Sequence, residues 1–312
     1  MNTTTTALAL SLPGTSGRWD FGDYPYALEP LTLPPPGVAW LPEDPPGDDL
    51  RAACSALRDL AAAGDLGVAR AGKDELERLF WFRWITGHHI SSLLWRLLAA
   101  ALDRLGSPGA DQAELSRAIP RYVRAYSAML IYTGSSTQAI YNETIRPSMY
   151  RIHSTFSGTW SADFPAVRSL FRGRRVPPVT ATERAALTRE IELCHRIHLD
   201  VAAKLVTNGR SLLQHLVDNP AAHQPRVWSA LFDHYFLTSR ASVSAHEVLS
   251  QLLRRCKAVA IDLASNGLYP AAAEYESSTP ADPAAWAELT GDQELIDIVL
   301  GVAGLATRLI RP

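Results

Sequence analysis

Cysteine is scarce in this chain: Cys54, Cys194 and Cys256 are the only three in 312 residues. They are odd in number and too widely separated for a zinc knuckle, so neither a disulfide framework nor a cysteine-built metal site organises the fold. A reduced, cytoplasmic setting is expected. An excess of one charge is also missing. The formal net charge is -2, and no lysine/arginine run exceeds the pair Arg174-Arg175. Nucleic acid therefore has no electrostatic footprint to bind. No run of about 18 or more apolar residues occurs, and MNTTTTALALSLPG at the N-terminus has no positive region ahead of its short apolar patch. Neither a membrane span nor a signal peptide is expected. A Ser-His-Asp order, a phosphate-binding glycine loop and HExxH are absent too, which ranks the hydrolase and nucleotide-dependent classes low. Strand signals are sparse and no internal repeat is visible. Amphipathic helical stretches remain, and the expected class is all-α.

Residues 1–48 are rich in proline and turn formers, yet they also hold Trp19, Phe21, Tyr24, Tyr26 and Trp40. Aromatics at that density do not suit a solvated tail. The segment is expected to be an extended arm packed on the body, or on a second copy of the chain in a homodimer. Residues 49–312 are expected to form a single helical domain. Helices are expected over Asp49 to Ala63, Asp74 to Leu105, Ala113 to Met129 with a break at Pro120, Thr180 to Val217, Arg226 to Phe236, Val243 to Ala264, and Trp286 to Leu309.

The stretch from Thr180 to Val217 is the most informative. Thr180 and Glu183 have capping-box spacing, and Pro177-Pro178 stop any earlier helix. Leu187, Ile191, Cys194, Val201 and Leu205 form one apolar face, with His198 inside it and His195 at its edge. An imidazole among apolar neighbours must hydrogen-bond or bind something. Alone it reads first as a satisfied core side chain; a partner elsewhere is needed to make it a ligand of iron or zinc. Small Ala202 and Ala203, one turn on, would let a flat macrocycle approach.

A second histidine lies on the helix from Asp74 to Leu105. Leu76, Phe80, Trp84, His88, Ser91 and Trp95 recur at helical spacing and share a face. His88 is flanked by Trp84 and Trp95, the candidate walls of a cofactor, although such a face is also what a plain core requires. Gly87 costs roughly 1 kcal/mol relative to alanine in mid-helix. Close approach of another group to the backbone would explain it. Ile131 to Phe164 then mixes rings with hydroxyls, an amide and guanidinium groups. That is the equipment of an amino-acid site, and also of a surface loop.

Together these stretches resemble the histidine-ligated, haem-dependent aromatic oxygenase superfamily that includes tryptophan 2,3-dioxygenase. WITGHHISSLLWR, from Trp84 to Arg96, is similar to its distal helix F-x-x-x-H-Q-x-x-E-L-W. IRPSMYRIHSTFS, from Ile145 to Ser157, looks like its substrate loop, and HLDVAAK, from His198 to Lys204, is similar to its axial helix H-x-x-x-V-x-R. The dioxygenase's carboxylate-binding arginine falls on Ser157, and its threonine/glycine-rich motif is absent, which argues against ring cleavage. The chain looks most like the bacterial haem-dependent L-tyrosine hydroxylases.

What the resemblance implies is a helical bundle around non-covalent haem b that converts L-tyrosine to L-DOPA with hydrogen peroxide in natural-product biosynthesis. His198 would be the axial ligand, with His195 the alternative, and His88 the distal base. Arg151, Arg146, Asn142, Tyr141 and Thr155 are the candidate substrate-binding residues. A related methyltyrosine hydroxylase holds its haem through a cysteine four residues after the axial histidine, where this chain has Ala202. Two other readings stay open. Glu192-x-x-His195 has the spacing of a helical di-iron site, although no second copy occurs, and a non-catalytic haem-binding helical protein would use both histidines structurally.

Overall fold

A computed structural model describes residues 19–20, 25–40, 48–175, 177–206, 225–275, 287, 289 and 291–309. The architecture is all-α. The helices are α1 (Asp48–Ala63), α2 (Leu76–Arg104), α3 (Gln112–Thr133), α4 (Gln138–Ile140), α5 (Arg146–Ile152), α6 (Pro165–Phe171), α7 (Ala181–Leu205), α8 (Pro225–Tyr235), α9 (Ala245–Asn266) and α10 (Asp292–Leu309). The strand content among the described residues is a pair of short parallel strands, β1 (Leu31–Leu33) and β2 (Thr238–Arg240), in register Leu31↔Thr238.

Helix α3 is central: α2, α7 and α10 all pack on it, and α9 closes the bundle against α2 and α10. The α2–α3 seam is tight because Gly87 faces Thr133. A Cβ at residue 87 would stand 2.3 Å from Thr133 Cγ2. The close approach foreseen at Gly87 is therefore made by a neighbouring helix. Pro120 lies inside α3 without breaking it. A proline there costs about 3 kcal/mol, and burial of Leu115, Ile119, Tyr122 and Val123 on both sides outweighs that local loss. A fully buried ion pair ties the layers together. Arg83 of α2 donates to Asp262 of α9 at 2.8 and 3.0 Å, and the hydroxyl of Tyr132 of α3 donates to the same carboxylate at 2.6 Å.

The described part of the arm lies on the body of its own chain. Tyr26, Leu31 and Leu33 are buried, Trp19 packs against Phe82, and Glu29 meets Arg254 and Arg255. Phe21 and Tyr24 lie outside the described residues.

Thr180 and Glu183 form the expected reciprocal cap of α7. The helix ends at Leu205, and the expected continuation from 207 to Val217 lies outside the described residues. The same holds for Trp286 at the expected start of the last helix. The buried stripe of α7 is also rotated from the apolar one. Leu187, Glu190, Leu193, Cys194, Ile197 and Asp200 are buried, whereas His198 is at the edge and exposed. Glu190 turns inward because Arg124 of α3 meets it at 3.2 Å, a pairing that hydrophobic periodicity cannot register.

Candidate active site

An aromatic cluster separate from the main aliphatic core gathers Ile85, Tyr141, Met149, Phe156, Trp160, Trp228, Phe232, Tyr235 and Phe236. Beside it opens a cavity of about 280 Å³, or about 1320 Å³ when its open mouth is counted. α2 supplies Trp84, His88, Ser91 and Trp95; α3 supplies Tyr126, Leu130 and Thr133; α7 supplies His198, Val201, Ala202 and Leu205. Phe232 and Phe236 close one side, and the turn Ser157-Gly158-Thr159 another. The two histidines singled out in the sequence thus line one space, although 110 residues separate them.

His88 is held firmly. Its Nδ1 lies 2.6 Å from the carbonyl oxygen of Trp84 one turn earlier, so Nδ1 carries the proton and donates. Its ring stacks on Phe236 at 4.3 Å and 18°, with Trp84 at 4.4 Å on a tilted contact. Burial lowers its pKa to about 4, and the bond to the Trp84 carbonyl opposes that shift. The imidazole is neutral near pH 7, and Nε2 carries its lone pair. With its pKa at about 4 this imidazole is a weak base at pH 7, so a proton taken at Nε2 is held only transiently and given up readily.

His198 is presented differently. It is exposed in surface area yet stands in a concave wall. Partial desolvation there, followed by the neighbouring His195, lowers its pKa. One turn on, Ala202 leaves the helix surface flat. His195 is exposed and absent from the cavity, because three residues of helix rotate it off the wall. Glu192 is likewise exposed, so the Glu-x-x-His face looks to solvent.

The polar stretch divides in the same way. A π-helical turn, Tyr141–Ile145, links α4 to α5, and the Arg146 N–H reaches back to the Tyr141 carbonyl. Such a turn inserts a residue into the helical register, and here Tyr141 and Arg146 both reach the cavity. Burial raises the Tyr141 pKa and the Arg146 charge opposes the rise. Among the described lining residues Arg146 is the only Lys or Arg side chain, and none of them is a carboxylate. The structure does not bring Arg151, Asn142 or Thr155 there. Arg151 is exposed in the last turn of α5, Asn142 is exposed with its amide donating to Gln138 O at 2.9 Å, and the Thr155 hydroxyl is paired with His153 Nδ1 at 2.9 Å. Tyr126, Met149, Phe232 and Phe236 were not foreseen as lining, whereas Phe156 belongs to the stretch read as the equipment of an amino-acid site. For Tyr126-Leu130-Thr133 and Phe232-Phe236 the only available signal is helical spacing, which plain core shares.

The lining of the cavity, aromatic with a histidine on each of two walls, suits a flat haem-type group better than a bare ion. Among the described residues, no group of three His, Cys, Asp or Glu side chains could hold a metal. A macrocycle brings its own four nitrogens and would ask the protein for a single further donor; His198 is one of the two histidines that line the cavity. Among the described residues the buried Trp95 indole N–H meets no acceptor, an arrangement that costs about 1–3 kcal/mol unless a ligand or water supplies one. Fold and site together define an all-helical protein with an aromatic cavity faced by two histidines.

Comparison with known families narrows the class. The model described as SfmD 3-methyl-L-tyrosine peroxygenase matches residues 42–189, just under half of the chain. That family is one of peroxygenases, oxidoreductase enzymes. The matched stretch holds His88, Trp95, Tyr141 and Arg146, and it stops within α7 before His198. No curated protein matches the chain. Among the described residues, no helix is long and apolar enough to cross a membrane.

Proposed function

We propose that the protein is a haem-dependent peroxygenase that hydroxylates L-tyrosine beside its phenol to give L-DOPA in natural-product biosynthesis, consuming hydrogen peroxide and releasing water. The observation that carries this reading is the meeting of His88 and His198 on one aromatic cavity that has no carboxylate among its described lining residues; the peroxygenase match supports it. His198 holds the iron of a non-covalent haem b, with Ala202 in place of any linking cysteine. Trp84 and Trp95 wall the group. Bound there, haem supplies the oxidising chemistry with peroxide. His88 Nε2 takes a proton from peroxide or the phenol and returns it to the departing oxygen. Arg146 holds the substrate carboxylate, and the aromatic wall excludes water around the ring.

The donor set favours this over a di-iron site, whose Glu192 and His195 face solvent. The family match favours one further reading, 3-methyl-L-tyrosine as substrate. One extra methyl in an apolar pocket changes discrimination by only about 1–3 kcal/mol, so both substrates should be compared by kcat/KM. The deciding experiment records the visible spectrum of protein purified from haem-supplemented cells, with and without L-tyrosine. A Soret band that shifts on addition is the expected outcome. Colourless protein containing iron would return the di-iron reading, and protein lacking both would remove the enzyme assignment.

A further inference from the structure

His89 follows His88 on α2 and points about 100° away from it, into the core, where it is 1% exposed. Its two ring nitrogens are both engaged. Arg255 Nε lies 3.3 Å from His89 Nδ1, and His89 Nε2 meets the carbonyl oxygen of Phe236. A guanidinium only donates, so His89 Nδ1 is the acceptor and its proton sits on Nε2, donating to Phe236. The tautomer is opposite to that of His88, whose proton sits on Nδ1.

Arg255 is itself fixed. It donates to Glu29 Oε2 at 3.1 Å, to the Glu29 and Pro30 carbonyls at 2.8 and 3.0 Å, and to Gln251 O at 3.0 Å. Phe236, at the other end of the chain of contacts, stacks its ring on His88 at 4.3 Å. The backbone leaves this point through Leu237 at φ +49°, a left-handed conformation unusual for leucine, and the Leu237 carbonyl accepts from Leu31 N at 3.0 Å. A turn held in that conformation needs bonds on both sides, and these residues provide them.

We infer that His89 is a positioning residue: clamped by Arg255, it fixes the Phe236 carbonyl and hence the ring that sets the plane in which His88 presents Nε2 to the cavity. The inference rests on the proposed role of His88 as the base. Its structural half does not depend on the activity. His88 and His89 divide the work by sequence adjacency, since neighbouring residues on a helix point about 100° apart.

The test is ¹⁵N-histidine NMR of the full-length chain, in the diamagnetic ferrous carbonyl form if iron is bound, combined with kinetics. Wild type should show His88 protonated at Nδ1 and His89 at Nε2. In His89→Leu, the His88 ring should lose its fixed plane, seen as shifted or broadened His88 ¹⁵N signals while Nδ1 stays protonated against the Trp84 carbonyl, and kcat should fall on the order of tenfold or more with KM little changed. His89→Gln retains an acceptor and a donor and should restore most of both. If His89→Leu does not fold, Phe236→Leu removes the stack on His88, together with part of the cavity wall, while leaving His89 in place, and should loosen the His88 ring in the same way. Two His residues with the same tautomer, or an unchanged His88 signal in either folded variant, would overturn the inference. Opposite tautomers in a chain that oxidises no tyrosine would leave the clamp standing and remove the activity. Leu305→Ala, in the core of α10, controls for stability: it should lower Tm and leave the His88 signal unchanged.

Discussion

α2 and α7 each carry two histidines, and the fold treats the pairs in opposite ways. His88 and His89 are adjacent in sequence, so they diverge: one reaches the cavity and the other the core, and hydrogen bonds define both tautomers. His195 and His198 are three apart and lie on the less buried side of a helix whose main packing partner is α3. The difference follows from packing. α2 is sandwiched between α3, α6 and α9, so 19 of its 29 residues are buried. α7 leaves one side open, with Leu199 69% exposed. A proton-transfer group benefits from confinement, which fixes its tautomer and keeps it neutral; a ligand to a bulky group needs an accessible face. The asymmetry agrees with the roles proposed for the two walls.

The comparison breaks most completely at His198. His198→Ala should abolish stable haem binding, seen as loss of the Soret band, while His195→Ala retains it. The reverse result would move the axial role to His195. Next in size, His88→Ala should keep the Soret band and lose about 10²–10⁴-fold in kcat; wild-type rates would remove His88 from the chemistry. The pH profile sharpens the same point. Burial holds His88 near 4, below the usual histidine value, so the neutral base is fully present at pH 6–8. It should be lost only as the pH falls through about 4, giving no acid limb near 6.5 from this group.

A smaller effect is expected at the substrate carboxylate. Arg146→Ala should raise the tyrosine KM by the equivalent of about 1.5–3 kcal/mol, and the exposed Arg151→Ala should leave it unchanged. Equal effects from both would show that the loop rearranges around substrate. Gly87→Ala places a methyl against Thr133 and should cost about 1–3 kcal/mol of stability, measured as a fall in Tm. No change would mean that the α2–α3 seam relaxes freely.

Much of the helical layout was legible because it depends on local chemistry. The Thr180/Glu183 cap, the apolar spacing of α2 and the stop at Gly64, where φ is +73°, all depend on neighbouring residues. His88 was legible as a candidate for the same reason, lying among aromatics at regular spacing. Arg146 could not be separated from Arg151 in this way. The π-helical turn before α5 changes the register, and hydrophobic periodicity does not show where an extra residue is accommodated. The burial of Glu190 was hidden too, because its partner Arg124 is 66 residues away in sequence.

The sequence by itself determined the helices, their caps and the residue types able to bind iron, move a proton or hold a carboxylate. Tertiary structure decided which of them meet. It put His88 and His198 on one cavity and turned His195 and Arg151 away. It gave His89 its partners on α9 and at the end of α8. The physical reason is that propensity and periodicity act over a few residues, whereas the orientation of a side chain toward a shared space depends on helix packing between segments far apart in the chain.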